Sequence, residues 1–252
     1  MRSVLITLAL IDSISPFKVC DAHIMQPQVD PFIAPRCKES IEILYQDESI
    51  LLINKPSGLL SLSGKHPLNK DSVHFRLVQD FPDARLLHRL DFGTSGIMLV
   101  ALNKHINGIL TRQFQAKTIA KTYTALLLGH VTPEHGTISA PIARGEFPLQ
   151  KICEDTGKSA TTDYELIGHV QITSETGHQV TCSRVLFKPR TGRTHQLRIH
   201  SRELGHPILG CDLYASDAAY SLATRLMLHA TSLTFEHPLT GQLMTSRCQS
   251  PF

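Results

Sequence analysis

The sequence lacks tryptophan altogether, and only 6% of its 252 residues are aromatic. A broad aromatic platform for stacking single strands of nucleic acid is therefore not expected. No apolar run reaches the roughly 18 residues that a membrane-spanning helix needs, which excludes a transmembrane protein. The net charge is only +3 while 42% of the residues are hydrophobic, so a chain that is disordered throughout is excluded as well.

Cysteine and histidine show no metal-binding pattern. Six cysteines are scattered without a C-x-x-C pair, so neither a zinc site nor a disulfide framework is indicated. None of the 14 histidines forms an H-E-x-x-H motif, and His195 and His200 are spaced poorly for one helix face. TGKSA resembles the end of a phosphate-binding loop, but Ile152 stands where that motif needs glycine. We expect no metal, no cofactor and a cytoplasmic location.

The first part of the chain differs from the rest. Residues 4–11 (VLITLALI) faintly resemble the apolar region of a signal peptide, but Asp12 ends the run and no small-residue cleavage site follows. The next stretch is rich in proline and polar residues and has no helical or strand period. We predict a poorly structured N-terminal extension over residues 1–38, with Met25 as an alternative start, and a folded domain over residues 39–252.

Apolar periodicity predicts more strands than helices after the extension. IEILYQ and ILLIN read as a β-hairpin around QDES, and further strands are predicted at GIMLVAL, KTYTALLLGH, ATTDYELIGHV, QVTCSRVLFKP and RLMLHATSLTFEH. Three helices are predicted: Asp71 or Ser72 to Gln79, Asn103 to Lys117, and Thr194 to a stop at Gly205. The pattern indicates an α+β fold with a mixed, mainly antiparallel β-sheet and flanking helices.

The modest net charge hides two basic segments. Residues 84–130 carry six lysines and arginines against one acidic residue, and residues 181–205 carry six against one. Residues 1–50 carry four basic and seven acidic side chains. If the two basic segments meet in space, they form one positive face suited to a polyanion. Otherwise they are two solvated helix faces.

Two segments contain candidate reactive groups. In LLHRLDFGTSGIMLVAL, Asp91 lies in a polar turn before an apolar strand, where a carboxylate is either a turn cap or a reactive group. Arg89 either pairs with Asp91 or faces a polyanion. In FKPRTGRTHQLRIH, Arg190 and Arg193 precede a helix start at Thr194, a combination that favours anion binding. A generic basic surface is the alternative.

These segments resemble the motifs of one enzyme family. HRLDFGTSG is similar to the catalytic motif of the RluA family of pseudouridine synthases, and KTYTALLLGH, RTGRTHQLRIH and LGHPILGCDLYA resemble its later motifs in the same order. ILYQDESILLINKPSGLLS resembles the start of its catalytic domain. The likeness covers residues 39–252 and is greatest to the dual-specificity members that modify 23S rRNA and tRNA. Members with an N-terminal S4-like domain fit less well, because the residues before Ile41 are few and acidic.

The resemblance implies roles for individual residues. Asp91 corresponds to the catalytic aspartate, and Tyr123 to the tyrosine that stacks on the target uracil and is a candidate base. Arg193 corresponds to the basic residue that pairs with the aspartate and keeps it ionised and oriented. Arg89 corresponds to the arginine that enters the RNA stack where the target base leaves. Further RNA contacts are expected from four residues of the later motif: Arg190, Thr194, His195 and Arg198.

The resemblance thus implies an isomerase that converts uridines of structured RNA to pseudouridine, in 23S rRNA, a tRNA anticodon stem-loop or both. It also implies a pseudouridine-synthase-like fold with a central RNA-binding cleft, and we expect a monomer without an obligate protein partner. Two other classes stay open. One is a non-catalytic RNA-binding protein on the same scaffold. The other is a retaining glycoside hydrolase, which needs a second carboxylate near Asp91.

Overall fold

The computed structural model describes residues 32–252, so the extension predicted over residues 1–38 lies mostly outside the described residues. The strands are β1 (Glu42–Gln46), β2 (Ile50–Lys55), β3 (Arg85–Leu86), β4 (Ser95–Ala101), β5 (Ala120–Leu128), β6 (His135–Ser139), β7 (Ile142–Arg144), β8 (Gln150–Ile152), β9 (Thr161–Thr173), β10 (Gln179–Pro189), β11 (Leu228–Glu236) and β12 (Leu243–Arg247). The helices are α1 (Val73–Asp80), α2 (Lys104–Ala116), α3 (Gln196–Glu203) and α4 (Asp217–Ser221).

Ten of the strands form one sheet in the order β1-β2-β4-β11-β5-β10-β9-β6, with β12 paired to β11 and β3 paired to β4. The pair β4–β11 is parallel, and the other strand pairs of this sheet are antiparallel. Strands β7 and β8 form a separate hairpin. The predicted α+β fold with a mixed, mainly antiparallel sheet is confirmed.

The hairpin predicted from IEILYQ and ILLIN is present as β1 and β2. In its turn, the Asp47 carboxylate accepts hydrogen bonds from the backbone of Ser49 and Ile50, which closes the turn. Strands β9 and β10 form a second hairpin, the longest in the described chain, and they pair from Thr162 opposite Pro189 to Thr173 opposite Gln179.

Two of the helices begin where their capping residues predict. The Ser72 side chain accepts a hydrogen bond from Phe75 N at the start of α1, and the Asn103 side chain accepts one from Ile106 N at the start of α2. Each satisfies a backbone donor that the first helical turn leaves free. Helix α2 ends at Lys117, which adopts a left-handed conformation (φ 59°) typical of a helix C-terminus.

Helix α3 does not begin at Thr194 as predicted. The residue before its first turn is His195, which has a left-handed backbone (φ 57°) and no side-chain capping bond. The Gln196 side chain instead accepts hydrogen bonds from Arg193 N (2.9 Å) and the Thr191 hydroxyl (2.8 Å). The prediction was wrong by one residue: His195 rather than Thr194 precedes the helix, and the Gln196 side chain bonds back to the turn before the helix while no side chain caps the first helical turn.

The buried centre of the sheet lies along β4, where all the side chains are buried. On one face, Ile97 and Leu99 pack in a cluster with Leu110 of α2. On the other face, Met98 and Val100 pack in a second cluster with residues of α1. Because both faces are covered, the strand reads as a continuous apolar run rather than an alternating one.

A third apolar cluster lies under β5 and β10, and it includes Val185 and Phe187 together with Ile199 of α3. Tyr123 of β5 packs against this cluster and also against the α1 cluster. The tyrosine therefore lies between the two halves of the core, at the centre of the sheet.

Residues 32–38 form no helix or strand, yet they are bonded to the body of the protein. Ala34 N donates to the Asn69 side chain (2.8 Å), and Asn69 Nδ2 donates back to Phe32 O (2.7 Å). The Phe32 ring meets the Phe92 ring edge to face, with centroids 5.5 Å apart. This end of the chain is thus held beside the loop that carries Asp91. Among the helices of residues 32–252, none has the length and apolar character needed to cross a membrane.

Candidate active site

Asp91 lies in the loop that joins β3 to β4, near the middle of the sheet. Its carbonyl oxygen accepts a hydrogen bond from Thr94 N (3.1 Å), so the chain turns tightly before β4 begins. Its side chain is 29% exposed, with Oδ2 3.9 Å from Arg198 Nη1. Within residues 32–252 no backbone N–H donates to the carboxylate. Asp91 is therefore not the turn cap that its sequence position also allowed.

The loop that carries Asp91 is clamped by the segment KPSGLLS, which follows β2. The Ser57 hydroxyl donates to Gly93 O (2.7 Å), and Gly58 N donates to Phe92 O (2.9 Å). The Ser61 hydroxyl donates to Leu90 O (2.7 Å) and accepts from Leu90 N (3.1 Å). These bonds hold the backbone on both sides of Asp91, so the carboxylate projects from a rigid turn.

Lys55, the last residue of β2, is also part of this clamp, because it bonds to the loop that carries Asp91. Its side chain is completely buried, and its Nζ donates to Pro56 O (2.8 Å) and Phe92 O (3.2 Å). Burial lowers the pKa of Lys55 to about 7, although the nearby Cys37 and Asp91 favour the charged form. A neutral amine keeps two of its three donor hydrogens, which is enough for these two bonds, so the clamp is intact in either state.

The buried amine of Lys55 should make the free energy of unfolding depend on pH. The pKa of Lys55 is about 7 in the folded protein against 10.5 for a free lysine, so between these values the unfolded chain binds more protons. The free energy of unfolding should therefore rise with pH above 7, by up to about 1.4 kcal/mol per pH unit from this group. Lys55→Met removes the rise.

Urea unfolding at pH 7, 8 and 9 tests this prediction, with the stability difference between wild type and Lys55→Met as the measured quantity. That difference should grow as pH increases. Lys188→Met is the matched control, because Lys188 is 49% exposed in its ion pair with Glu165. A difference for Lys55→Met that stays constant with pH would contradict the prediction.

Arg198, in the first turn of α3, is the cation that faces Asp91. Its side chain is 5% exposed and contacts Asp91, while Nη2 donates to the Asp212 carboxylate. Its Nε donates to Cys211 Sγ (3.3 Å), and its guanidinium lies 5.2 Å from the centre of the Tyr214 ring. Burial opposes the charge, but Cys211, Asp91 and Asp212 together raise the pKa of Arg198. The site therefore holds a permanent buried cation.

Arg193 does not pair with Asp91, and this part of the prediction was wrong. Arg193 is exposed, and its Nε donates to Ser159 O (3.0 Å). The reason lies in the start of α3. Arg193 lies before the first turn of α3 and its side chain bonds to Ser159 O, whereas Arg198 lies within the helix among its buried residues.

Tyr123 lies on β5 beside Asp91. Its ring is half-buried between two apolar clusters, and its hydroxyl makes no hydrogen bond to any residue from 32 to 252. Burial raises the pKa of Tyr123, and the Asp91 charge raises it further. The phenol is thus neutral at physiological pH. This favours the stacking role expected for Tyr123 over that of a phenolate base.

His195 lies near enough to Asp91 and Arg198 for their charges to affect its pKa. Its Nδ1 lies 2.7 Å from the Tyr214 hydroxyl, which accepts a hydrogen bond from Gln150 N (2.9 Å). Burial lowers the pKa of His195, Asp91 acts against this, and Arg198 and Arg89 reinforce it. The imidazole is therefore neutral at pH 7. Its left-handed backbone (φ 57°) is uncommon for a residue other than glycine.

The remaining predicted residues lie further out. Arg89 is exposed, near enough to His195 to affect its pKa, and it pairs with no acidic group of residues 32–252. Arg190 forms two hydrogen bonds with the Asp163 carboxylate (2.7 and 2.9 Å), and Thr194 is exposed. Of the three residues in the predicted anion site, Arg190 is paired with Asp163, while Arg193 and Thr194 are exposed, so their joint binding of an anion stays a prediction.

The structure thus brings together Asp91, Tyr123, His195 and Arg198, with Arg89 at the edge. Sequence reasoning missed the clamp of Lys55, Ser57 and Ser61, and the partners Asp212 and Tyr214. The available signals were the motifs KPSGLLS and LGHPILGCDLYA, which the sequence contains but whose individual residues carry no local pattern. In the described part of the chain, no group of three or more histidine, cysteine, aspartate or glutamate side chains is placed to hold a metal ion.

The sequence of this chain is similar to those of known proteins. A family model described as RNA pseudouridylate synthase matches residues 49–203. The chain is 45% identical over 212 residues to the dual-specificity RNA pseudouridine synthase RluA of Salmonella typhi, covering 83% of this chain and 93% of that one. The protein of the same name from Haemophilus ducreyi is 44% identical over 231 residues, which is 90% of this chain and 97% of that one.

Solved structures show the same likeness. Human RNA pseudouridylate synthase domain containing 1 aligns with a TM-score of 0.72 and 33% identity, over 86% of each chain. Human RNA pseudouridylate synthase domain containing 4 aligns with a TM-score of 0.62 and 25% identity, over 83% of this chain and 88% of that one. Both alignments cover more than four fifths of this chain and agree with the fold described above.

Proposed function

This chain belongs to the RNA pseudouridylate synthase family and is an isomerase acting on RNA, and from this premise we propose that Asp91 is its catalytic carboxylate. Its proposed substrates are specific uridines of 23S rRNA, of a tRNA anticodon stem-loop, or of both. The observation that carries the proposal is the geometry of Asp91. Its loop is clamped on both sides, its carboxylate is open to a substrate, and a buried arginine lies 3.9 Å away.

The reaction breaks the bond between N1 of the uracil and C1′ of the ribose, turns the base, and joins C5 to C1′. The proton on C5 is lost and N1 gains one, so the product has the atoms of the substrate and no oxidation or reduction occurs. A carboxylate held at the sugar can attack C1′ as a nucleophile and be displaced when C5 joins C1′. Alternatively, it removes the neighbouring C2′ proton as the N1–C1′ bond breaks and returns that proton to C2′ when C5 joins C1′. Both routes need Asp91 fixed in place, and the clamp on its loop provides this. Arg198 gives the carboxylate a positive partner 3.9 Å away.

The target base has to leave the RNA stack before it reaches Asp91, at a cost of a few kcal/mol. Arg89 is exposed and unpaired among residues 32–252, so it is free to enter the vacated position. The Tyr123 ring offers a stacking face for the base, which contributes about 1–3 kcal/mol. The two contributions offset much of the cost of flipping.

Phosphate contacts come from the basic segments. Arg89 and Arg193 are exposed and form no ion pair within the described residues. Arg190 is tied to Asp163, but this exposed pair is weak enough for a phosphate to replace the carboxylate. Thr194 lies in the same exposed loop. The affinity for RNA should therefore fall as salt increases.

A cytoplasmic monomer is the form in which we propose that the protein acts, without a metal or cofactor. The five described cysteines are free thiols, which suits a reducing compartment. Residues 39–252 are the proposed catalytic domain, since β1 begins at Glu42 and β12 ends at Arg247 within one sheet.

A retaining glycoside hydrolase is disfavoured by the arrangement around Asp91. Such an enzyme needs a second carboxyl group that carries a proton for the leaving group. Asp212 is the other carboxylate on Arg198, and it is engaged there as a charge partner. No sugar bond needs to be hydrolysed in the proposed reaction.

The function is tested by mapping pseudouridine in total RNA from cells with and without the gene, together with tritium release from RNA labelled at C5 of uridine. We expect pseudouridine to disappear from 23S rRNA, from a tRNA anticodon loop or from both, and to return with the restored gene. Unchanged pseudouridine in both 23S rRNA and tRNA contradicts the substrate assignment. Release of free uracil indicates a hydrolase instead.

A further inference from the structure

One hydrogen-bond donor beside Asp91 is left without a partner. His195 Nδ1 is held by the Tyr214 hydroxyl (2.7 Å), but Nε2 makes no hydrogen bond within residues 32–252. It is also not among the buried unpaired side-chain atoms of that region, so Nε2 is open to a ligand.

The partners of Tyr214 determine which nitrogen carries the proton. The phenol oxygen already accepts a hydrogen bond from Gln150 N (2.9 Å). Its own hydrogen is therefore best placed on His195 Nδ1, which acts as the acceptor. A neutral imidazole with Nδ1 as acceptor has its hydrogen on Nε2. Tyr214 thus turns His195 into a neutral donor, and the lowered pKa of His195 agrees with this state.

The neighbouring donors are already engaged. Lys55 Nζ is bonded to the carbonyls of Pro56 and Phe92. The Arg198 guanidinium is shared among Cys211, Asp212 and Asp91. For the negatively charged phosphates, the exposed cations Arg89 and Arg193 are available. A neutral donor next to the catalytic carboxylate fits a neutral acceptor better than a phosphate.

We propose that His195 Nε2–H donates a hydrogen bond to a carbonyl oxygen of the target uracil, and that Tyr214 acts as its positioning residue. This inference rests on the proposed function, since it needs the uracil at Asp91. The left-handed backbone of His195 (φ 57°) at the start of α3 is the local cost of aiming the ring inward.

The chemistry of the reaction explains why one donor serves throughout. When the N1–C1′ bond breaks, the negative charge of the uracil spreads onto O2 and O4. Turning the ring about the line from N3 to C6 exchanges N1 with C5 and also O2 with O4. A donor fixed at one carbonyl position therefore keeps a partner before and after the turn. It stabilises the detached base most, because the charge is largest there.

Removing the donor tests the proposal. His195→Phe should lower the rate of tritium release by about 10²-fold at saturating RNA, while the affinity for RNA changes by less than about threefold. His195→Gln, which offers an N–H at a similar distance, should recover at least about tenfold of the loss. His178→Ala is the matched control, because His178 is exposed in the β9–β10 turn, and it should match wild type.

Sulfur substitution in the RNA separates a direct contact from a structural role. A stem-loop with 2-thiouridine or 4-thiouridine at the mapped target weakens the acceptor at one carbonyl while the protein stays unaltered. One of the two substitutions should slow wild type at least about tenfold more than it slows His195→Phe. Equal effects on both proteins at both positions overturn the proposal, as does a His195→Phe rate within threefold of wild type. If wild type releases no tritium from total RNA, the proposed function itself fails.

Discussion

Asp91→Asn is expected to abolish pseudouridine formation while the affinity for RNA stays within about threefold of wild type. Asparagine keeps the shape of the side chain, so the clamp on the loop from Lys55, Ser57 and Ser61 is unaffected. It removes the negative charge and the oxygen that acts at the sugar, and such losses cost at least about 10⁴-fold in rate. Tritium release under single-turnover conditions and filter binding of the same RNA measure the two quantities.

Asp212→Asn is the matched control for this experiment. Asp212 also contacts Arg198, but it does so at Nη2 rather than Nη1, and its own side chain is 65% exposed. We expect this variant to lose less than about tenfold, because asparagine keeps an oxygen that accepts from Arg198 and the contact with Asp91 is left in place. Full activity in Asp91→Asn, or equal losses in both variants, contradicts the assignment of Asp91 as the catalytic carboxylate.

The elements that could be predicted from the sequence are those that depend on near neighbours. The caps at Ser72 and Asn103 lie next to the helices that they start. The β1–β2 hairpin has its turn residues between two apolar runs. In each case the physical cause is contained within a few residues.

The clamp on the Asp91 loop depends instead on residues that are far apart in the sequence. Ser61 bonds to Leu90, and Ser57 bonds to Gly93. These pairs lie on separate loops that the β2–β4 pairing brings together. A serine in a glycine-containing segment is an ordinary loop residue until the sheet is known. The positions of Lys55 and Tyr214 depend on tertiary contacts in the same way.

Local charge was a poor guide to the site for a related reason. The two basic segments contain cations that are neutralised close by: Arg190 by Asp163, and Lys188 by Glu165. Arg184 instead donates to Phe252 O at the end of the chain. What distinguishes Arg198 from these is burial, since its side chain is 5% exposed. Counting charges along the sequence measures neither burial nor pairing.

The second large effect is expected at Arg198, the cation that faces Asp91. Arg198→Lys should lower the rate of pseudouridine formation by about 10³-fold. Lysine keeps one positive charge, but it lacks the planar set of donors that reaches Cys211, Asp212 and Asp91 at once. The carboxylate of Asp91 then loses its orientation. Because the charge is kept, we expect most of the molecules to remain folded, and thermal unfolding of the purified variant measures this.

Arg193→Lys is the control that decides between the two arginines. Arg193 lies in the same motif, only five positions away in sequence, but it is exposed and bonded to Ser159 O. The same substitution there should change the rate by less than about threefold. If Arg193→Lys is the crippled variant and Arg198→Lys is active, then Arg193 is the functional partner of Asp91, as the sequence motif alone suggested.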